Sequence, residues 1–126
     1  KKKIPVYGNG KQIREWIYVD DHCDALLKLI KSGQSGENYN IGNSNEISNL
    51  ELIAKILVIL KDFSLIHNLN INEYIDFIDD RLGHDKRYAI DSTKIEELCD
   101  WKAGTNFNKG LKKTISSIIY PNQFSI

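Results

Sequence analysis

Methionine is absent from this chain of 126 residues, even at the first position, and there are only two cysteines, two prolines and two tryptophans. A primary translation product begins with methionine, so its absence suggests a fragment or a processed product. Two cysteines, Cys23 and Cys99, are too few to staple a small secreted scaffold and suit a reducing cytoplasm. The longest clean apolar run is the five residues from Ile56 to Leu60. A membrane helix needs about 20, so no membrane span is expected, and the opening lysines lack the apolar stretch of a signal peptide. Neither charge is in excess, with 17 basic and 17 acidic residues. General nucleic-acid binders carry a basic surplus, so that class is disfavoured, whereas a small anionic ligand needs only a local basic cluster.

At 41% apolar and 27% charged, the composition is that of an ordinary soluble domain able to bury a core. No repeat or linker divides residues 1–126, so a single domain is expected. Pro5-Val6-Tyr7, the turn formers Gly8-Asn9-Gly10 and the run Ile13 to Val19 read as a β-hairpin. Alternation puts Ile13, Glu15, Ile17 and Val19 on one face and Arg14, Trp16 and Tyr18 on the other. A helix over about Asp21 to Lys31 follows, with Asp20 or Asp21 as its cap, an apolar stripe of Ala25, Leu26, Leu29 and Ile30, and Gly33 as its stop. Tyr39 to Gly42 reads as a short strand. Ser48 and Glu51 form a capping box before the stripe Leu52, Ile53, Ile56, Leu57 and Leu60. Ile71 to Ile78 should contain a strand, Asp79 to Lys86 a loop, and Arg87 to Ile90 another strand. Helices over about Ser92–Leu98 and Asn108–Ile119 complete the chain, the last with Leu111, Ile115 and Ile118 on one face. The alternation of strands and helices favours an α/β class.

Arginine is rare: Arg14, Arg81 and Arg87 stand against 14 lysines, and none falls on an expected helix. The planar guanidinium grips phosphate or carboxylate through two parallel hydrogen bonds, which lysine does not reproduce. The three arginines therefore suggest a diphosphate site, the alternative being salt bridges to Glu15, Asp80 or Asp85. The run Asp79 to Asp85 sets carboxylates and His84 around Gly83. It could serve acid–base chemistry, but it more readily orients an arginine. Asn49 sits at a helix N-terminus, where free N–H groups and the dipole favour an anionic or carbonyl ligand. Tyr7 and Lys11 have the Tyr-x-x-x-Lys spacing of a dehydrogenase pair. That pair needs a helix face, and the glycine turn between them is a poor helix. Gly8-x-Gly10 is no dinucleotide fingerprint, and His22, Cys23, His67, His84 and Cys99 lack zinc spacing.

Four segments together resemble the extended short-chain dehydrogenase/reductase family, in its dTDP-glucose 4,6-dehydratase branch. They are Pro5 to His22, Tyr39 to Gly42, Asp80 to Asp91 (Asp-Arg-Leu-Gly-His-Asp-Lys-Arg-Tyr-Ala-Ile-Asp), and Leu98 to Lys102. The resemblance covers nearly the whole chain but only the C-terminal third of a family member. It implies a substrate-binding region with a small mixed sheet and packed helices, and with the nucleotide-binding Rossmann domain largely missing. It implies that Pro5, Val6 and Tyr7 line the base, that Arg14 and Arg81 hold the diphosphate, and that Asn49 with Asp80, Arg81, Leu82, Gly83 and His84 completes the pocket. The family usually has proline where this chain has Leu82, so the unliganded loop should be looser.

The family's NAD loop, its Tyr-x-x-x-Lys pair and its acid residues would all lie upstream. NAD is thus expected for the full-length family and not for this chain alone. The expected partners are a nucleotide-diphosphate sugar, such as dTDP-glucose, and a missing or separately encoded NAD-binding domain, with no nucleic acid and no membrane. The alternatives are a non-catalytic nucleotide-diphosphate binding module and the same region of a sister UDP-sugar epimerase or decarboxylase. Alone, the Asp21 to Lys31 helix and the Tyr39 strand should leave uncovered an apolar surface that family members pack against the nucleotide domain.

Overall fold

Val6 and Ile75 are the residues around which the first half of the core condenses. In the computed structural model, which describes residues 2–121, they lie on two short parallel strands, β1 (Ile4–Tyr7) and β4 (Ile75–Ile78). Val6 pairs with Phe77 and Ile4 with Ile75. Helix α2 (Asn49–Asp62) lays Ile53 and Leu57 against them, and Leu50, Ile66, Ile71 and Tyr74 close the edges of this cluster. The Ser48–Glu51 capping box forms as the sequence indicates: Glu51 N–H donates to Ser48 Oγ at 3.2 Å and Ser48 N–H to Glu51 Oε2 at 2.7 Å.

The expected hairpin does not form. The turn itself does: Gly10 N–H donates to the Tyr7 carbonyl, and Gly8 and Gly10 adopt φ of +57° and +68°, which glycine reaches without strain. Past the turn, however, the carbonyls of Gly10 and Gln12 accept the N–H groups of Leu50 and Asn49, each at 3.1 Å. Those are orphan donors of the first turn of α2, and satisfying them draws the chain away from β1. The next strand, β2 (Ile13–Glu15), is therefore shorter than expected and pairs antiparallel with β3 (Glu46–Ser48), with Arg14 opposite Ile47.

The second half of the core gathers Ala25 of α1 (Val19–Ser32), Ile95 and Cys99 of α3 (Thr93–Cys99), and Trp101. Tyr39 and Ile41 pack on this cluster as irregular chain without a ladder, so the expected strand over Tyr39 to Gly42 is not one. Arg87 to Ile90 likewise reduces to a single bridge, Ile13 to Arg87. Helix α1 begins after Tyr18, with no side-chain cap from Asp20 or Asp21. Asp21 instead accepts from the N–H and hydroxyl of Thr105. Helix α4 (Phe107–Ile119) is capped by Asn106.

The apolar stripes are only partly inward. Ala25 and Leu29 face the core, but Leu26, Leu27 and Ile30 of α1 point outward, Ile30 being 81% exposed, and Ile118 of α4 is also exposed. Cys99 is buried and Cys23 exposed, both free, so only Cys99 is a packed side chain.

Ile95 is fully enclosed, so Ile95→Ala should lower unfolding free energy by about 2–5 kcal/mol in urea titrations, while Ile118→Ala should change it by less than about 0.5 kcal/mol. Equal losses at both positions would contradict this division of the core.

Candidate functional site

Strand β4 ends at Ile78, whose carbonyl accepts the N–H of Gly8 at 2.9 Å, and the chain then turns back over the glycine turn. Asp80 closes on that turn so tightly that a Cβ on Gly8 would lie 2.7 Å from Asp80 Oδ2. Asp80 Oδ2 accepts from Gln12 Nε2 at 3.0 Å; its Oδ1 accepts from Arg81 N–H at 2.9 Å and lies 2.6 Å from His84 Nδ1. Arg81 to His84 form a β-turn, closed by His84 N–H to the Arg81 carbonyl at 3.1 Å, with Gly83 at φ +71°. A positive φ at the third position alone is the type II arrangement, and Leu82 occupies the second position with its side chain wholly in solvent.

The guanidinium of Arg14 meets this loop. Its Nη2 lies 3.0 Å from His84 Nε2 and donates to the Asp85 carbonyl at 3.0 Å, while Nη1 donates to its neighbour's carbonyl, that of Ile13, at 2.7 Å. A guanidinium only donates, so His84 Nε2 accepts, and the imidazole proton sits on Nδ1, facing Asp80. Arg14 also stacks over the Tyr88 ring at 4.5 Å. Arg81 lies over the Tyr7 ring at 5.0 Å, and Tyr7 stands edge-on to His84 with ring centres 6.1 Å apart. Both guanidiniums act on the Tyr88 hydroxyl. Its hydrogen bond to Asp85, that carboxylate's charge and desolvation raise its pKa, and the two arginines oppose the shift.

Among the described residues none of the alternative salt bridges, to Glu15, Asp80 or Asp85, forms. Of the three arginines, Arg87 alone has a carboxylate partner among the described residues, and that partner is Glu46, to which its Nε and Nη2 donate at 2.6 and 2.8 Å. The pair depresses the Glu46 pKa and raises that of Arg87. Glu15 instead accepts from the backbone N–H groups of Asn43, Ser44 and Ile90, Asp80 holds His84, and Asp85 accepts from the Tyr88 hydroxyl. Among the described residues, Arg14 and Arg81 have no carboxylate partner. Two guanidiniums without a carboxylate partner thus lie on separate aromatic rings, Arg14 on Tyr88 and Arg81 on Tyr7, with His84 in contact with both Arg14 and Tyr7.

Of the residues singled out in the sequence, Tyr7, Arg14, Asp80, Arg81, Gly83 and His84 come together here. Pro5 is exposed on β1. Val6 points into the core, so it offers no side chain to a ligand. Asn49 is half-buried at the start of α2, joined to the site through its N–H to the Gln12 carbonyl. A cleft of about 420 Å³ behind the loop is lined by Gly8, Lys11, Gln12, Asp80, His84 and Lys86. A more apolar cleft of about 270 Å³ between Trp16, Leu52, Phe107 and Leu111 shares no residue with it. Gln12 and Tyr88 were missed as site residues. The signal for Gln12 was its place two residues before Arg14, on the same strand face.

The glycine turn is not a pyrophosphate cradle. A Cβ on Gly10 would lie 2.6 Å from Leu50 Cγ, so side chains of this protein fill the space a phosphate would need, and no helix begins at the turn. Tyr7 and Lys11 lie on a strand end and beyond the turn, not on a helix face. Among the described residues no cluster of three or more His, Cys, Asp or Glu side chains could hold a metal, and no helix is long and apolar enough to cross a membrane.

The model of the GDP-mannose 4,6 dehydratase family matches residues 1–114. The chain belongs to that family. Among curated relatives, a probable dTDP-glucose 4,6-dehydratase of Sinorhizobium fredii is 44% identical over 115 residues, 91% of this chain and 33% of the relative. The dTDP-glucose 4,6-dehydratase 1 of Escherichia coli is 41% identical over 114 residues, 90% of this chain and 31% of its own length. The chain thus spans about a third of the length of the curated relatives it matches. The solved dTDP-glucose 4,6-dehydratase of Bacillus anthracis, in complex with NAD, superposes with a TM-score of 0.80 at 34% identity, covering 98% of this chain and 36% of that one. DesIV of Streptomyces venezuelae, a dTDP-glucose 4,6-dehydratase with NAD and TYD bound, gives 0.79 at 32% identity, covering 98% and 36%. The UDP-glucose 4-epimerase of Thermotoga maritima shares the fold at 22% identity, with a TM-score of 0.79 over 96% of this chain and 36% of that one. The fold is that of a part of an extended short-chain dehydrogenase/reductase.

Two predictions follow from the loop. Leu82 occupies a turn position whose φ proline pre-sets, so Leu82→Pro should stabilise the chain by about 0.4–1 kcal/mol in thermal or urea unfolding; a loss of stability would refute the turn assignment. The hydrogen bond to His84 is the leading cause that holds the Asp80 carboxyl below its ordinary pKa. A depressed folded pKa means its stabilisation is complete above the ordinary carboxylate range and is lost as pH falls through the lowered value. Asp80→Ala should therefore flatten the acid limb of the stability–pH curve below about pH 4; an unchanged limb would contradict it.

Proposed function

We propose that this chain is the nucleotide-sugar binding region of a dTDP-glucose 4,6-dehydratase, corresponding to the C-terminal portion of the longer enzyme. The observation that carries this reading is the pair of guanidiniums, Arg14 and Arg81, left without a carboxylate beside Tyr7, His84 and Tyr88. Each is held at its side by carbonyl, imidazole or aromatic contacts that do not cancel its charge. A diphosphate supplies the missing charge and the planar acceptors that guanidinium favours. The exposed side chains of Pro5 and Tyr7 offer a surface for the base, with Val6 supporting it from the core. Asn49, at the start of α2, and the loop from Asp80 through Leu82 and Gly83 to His84 bound the pocket.

In this reading the longer enzyme removes water from the nucleotide-sugar to give a 4-keto-6-deoxy sugar, with NAD held by residues outside this chain. The glycine turn does not fit NAD's phosphates, and this chain supplies binding rather than chemistry. The outward face of α1, with Leu26, Leu27 and Ile30, is where the reading seats the NAD-binding domain. Apolar faces of this kind mark interaction surfaces. The free cysteines suit the cytoplasm.

Calorimetric titration with dTDP tests the reading. The chain should bind weakly, and Arg14→Ala or Arg81→Ala should each weaken binding by about 1.5–3 kcal/mol, the range of a charged hydrogen bond, whereas Arg87→Ala should not. With dTDP-glucose and NAD the chain alone should form no 4-keto-6-deoxy product. Binding indifferent to Arg14 and Arg81 would remove the substrate assignment, and turnover would remove the division of labour.

A further inference from the structure

Gln12 is the least expected residue at this site. It is 5% exposed, a polar side chain just before β2, and was assigned no role. Its Nε2 donates in two directions, to the Tyr7 carbonyl at 3.3 Å and to Asp80 Oδ2 at 3.0 Å. Turning the amide over would set its oxygen against those two acceptors, so the orientation is decided by the donors alone. The oxygen, Oε1, is buried and meets no donor among the described residues. An apolar side chain of the same size would avoid that penalty, so the amide is retained for what its nitrogen holds.

What it holds is the first link of a chain. Gln12 fixes one oxygen of Asp80, the other oxygen of Asp80 takes the Nδ1 proton of His84 at 2.6 Å, and His84 thereby turns its bare Nε2 toward Arg14 at 3.0 Å. The charged and titratable groups around His84 are Asp80 and Arg14, Tyr7 from β1, Arg81, which stacks on Tyr7, the adjacent Asp85, and Lys11 and Lys86, which line the same cleft. Were Asp80 free to rotate, His84 could carry its proton on Nε2, donor would face donor, and Arg14 would lose one of the contacts that hold it, keeping the Ile13 and Asp85 carbonyls and the Tyr88 ring.

We propose that Gln12 is a positioning residue of the diphosphate site, acting through Asp80 and His84 to fix the guanidinium of Arg14. The proposal rests on the reading of Arg14 as an anion ligand, but its tautomer arm stands apart from that reading. Gln12→Leu keeps the size and removes the donor; Asp80→Ala cuts the chain one link later, at an exposed residue. Long-range proton–nitrogen NMR of the imidazoles should show His84 as a single Nδ1–H tautomer in the parent chain and as a mixture in Gln12→Leu. Affinity for dTDP should fall about tenfold in Gln12→Leu, the loss expected of one well-made hydrogen bond. In an Asp80→Ala background, Gln12→Leu should have no further effect. A tautomer unchanged by Gln12→Leu, or an equal loss of affinity with and without Asp80, overturns the proposal. A shifted tautomer in a chain that binds no dTDP upholds the relay and overturns the diphosphate reading instead. Should Gln12→Leu not fold, Gln12→Met, of similar length and also without the donor, carries the same comparison.

Discussion

The site depends on the parting of two strands. After the glycine turn, β1 and β2 do not pair with each other; β1 takes β4 as its parallel neighbour and β2 takes β3. The first pairing delivers the loop after Ile78 onto the glycine turn, where Asp80 lodges. The second leaves the other edge of β2 open, and that edge takes Lys86 and Tyr88 through Ile13, whose N–H and carbonyl bond them at 2.8 and 3.1 Å. The loop is thus tied at both ends, over β1 and beside β2, and Arg14 on the strand meets His84 in the loop. Had the hairpin formed, that edge of β2 would have been spent on β1.

Elements governed by neighbours in sequence were legible in advance. The capping box, the four helices, the glycine turn and the loop after β4 all follow from local chemistry, and their boundaries hold to within about two residues of the expected ones. What decided the pairing of β1 was the need of α2's first turn for acceptors and the burial of Val6 against Ile75. Neither has a signature in the segment Pro5 to Val19. Parallel partners lie far apart in sequence, so period-two alternation announces a strand without naming its neighbour. Tyr39 to Gly42 shows the converse: a half-apolar segment whose side chains reach the core while its backbone finds no ladder.

The same distinction runs through the site. The scarcity of arginine pointed to Arg14, Arg81 and Arg87 alike, because residue choice records chemistry whatever the fold, and only the family resemblance set Arg14 and Arg81 apart. That Arg87 belongs to Glu46, that Glu15 serves backbone N–H groups rather than an arginine, and that Val6 faces inward are matters of tertiary pairing. The outward apolar residues of α1 belong here too. Periodicity located the stripe but not which part of it this chain covers: Ala25 and Leu29 pack on the core, and Leu26 and Ile30 are left to solvent.

The central claim is that two of the three guanidiniums are available to one diphosphate while the third is already matched. The arginine Nε–H resonances report this directly, because only three are present. Titrated with pyrophosphate, the signals of Arg14 and Arg81 should move together along a single saturating curve, and that of Arg87, held by Glu46, should stay in place. A curve in which Arg87 moves with either of them, or in which Arg14 and Arg81 follow separate midpoints, would contradict the account.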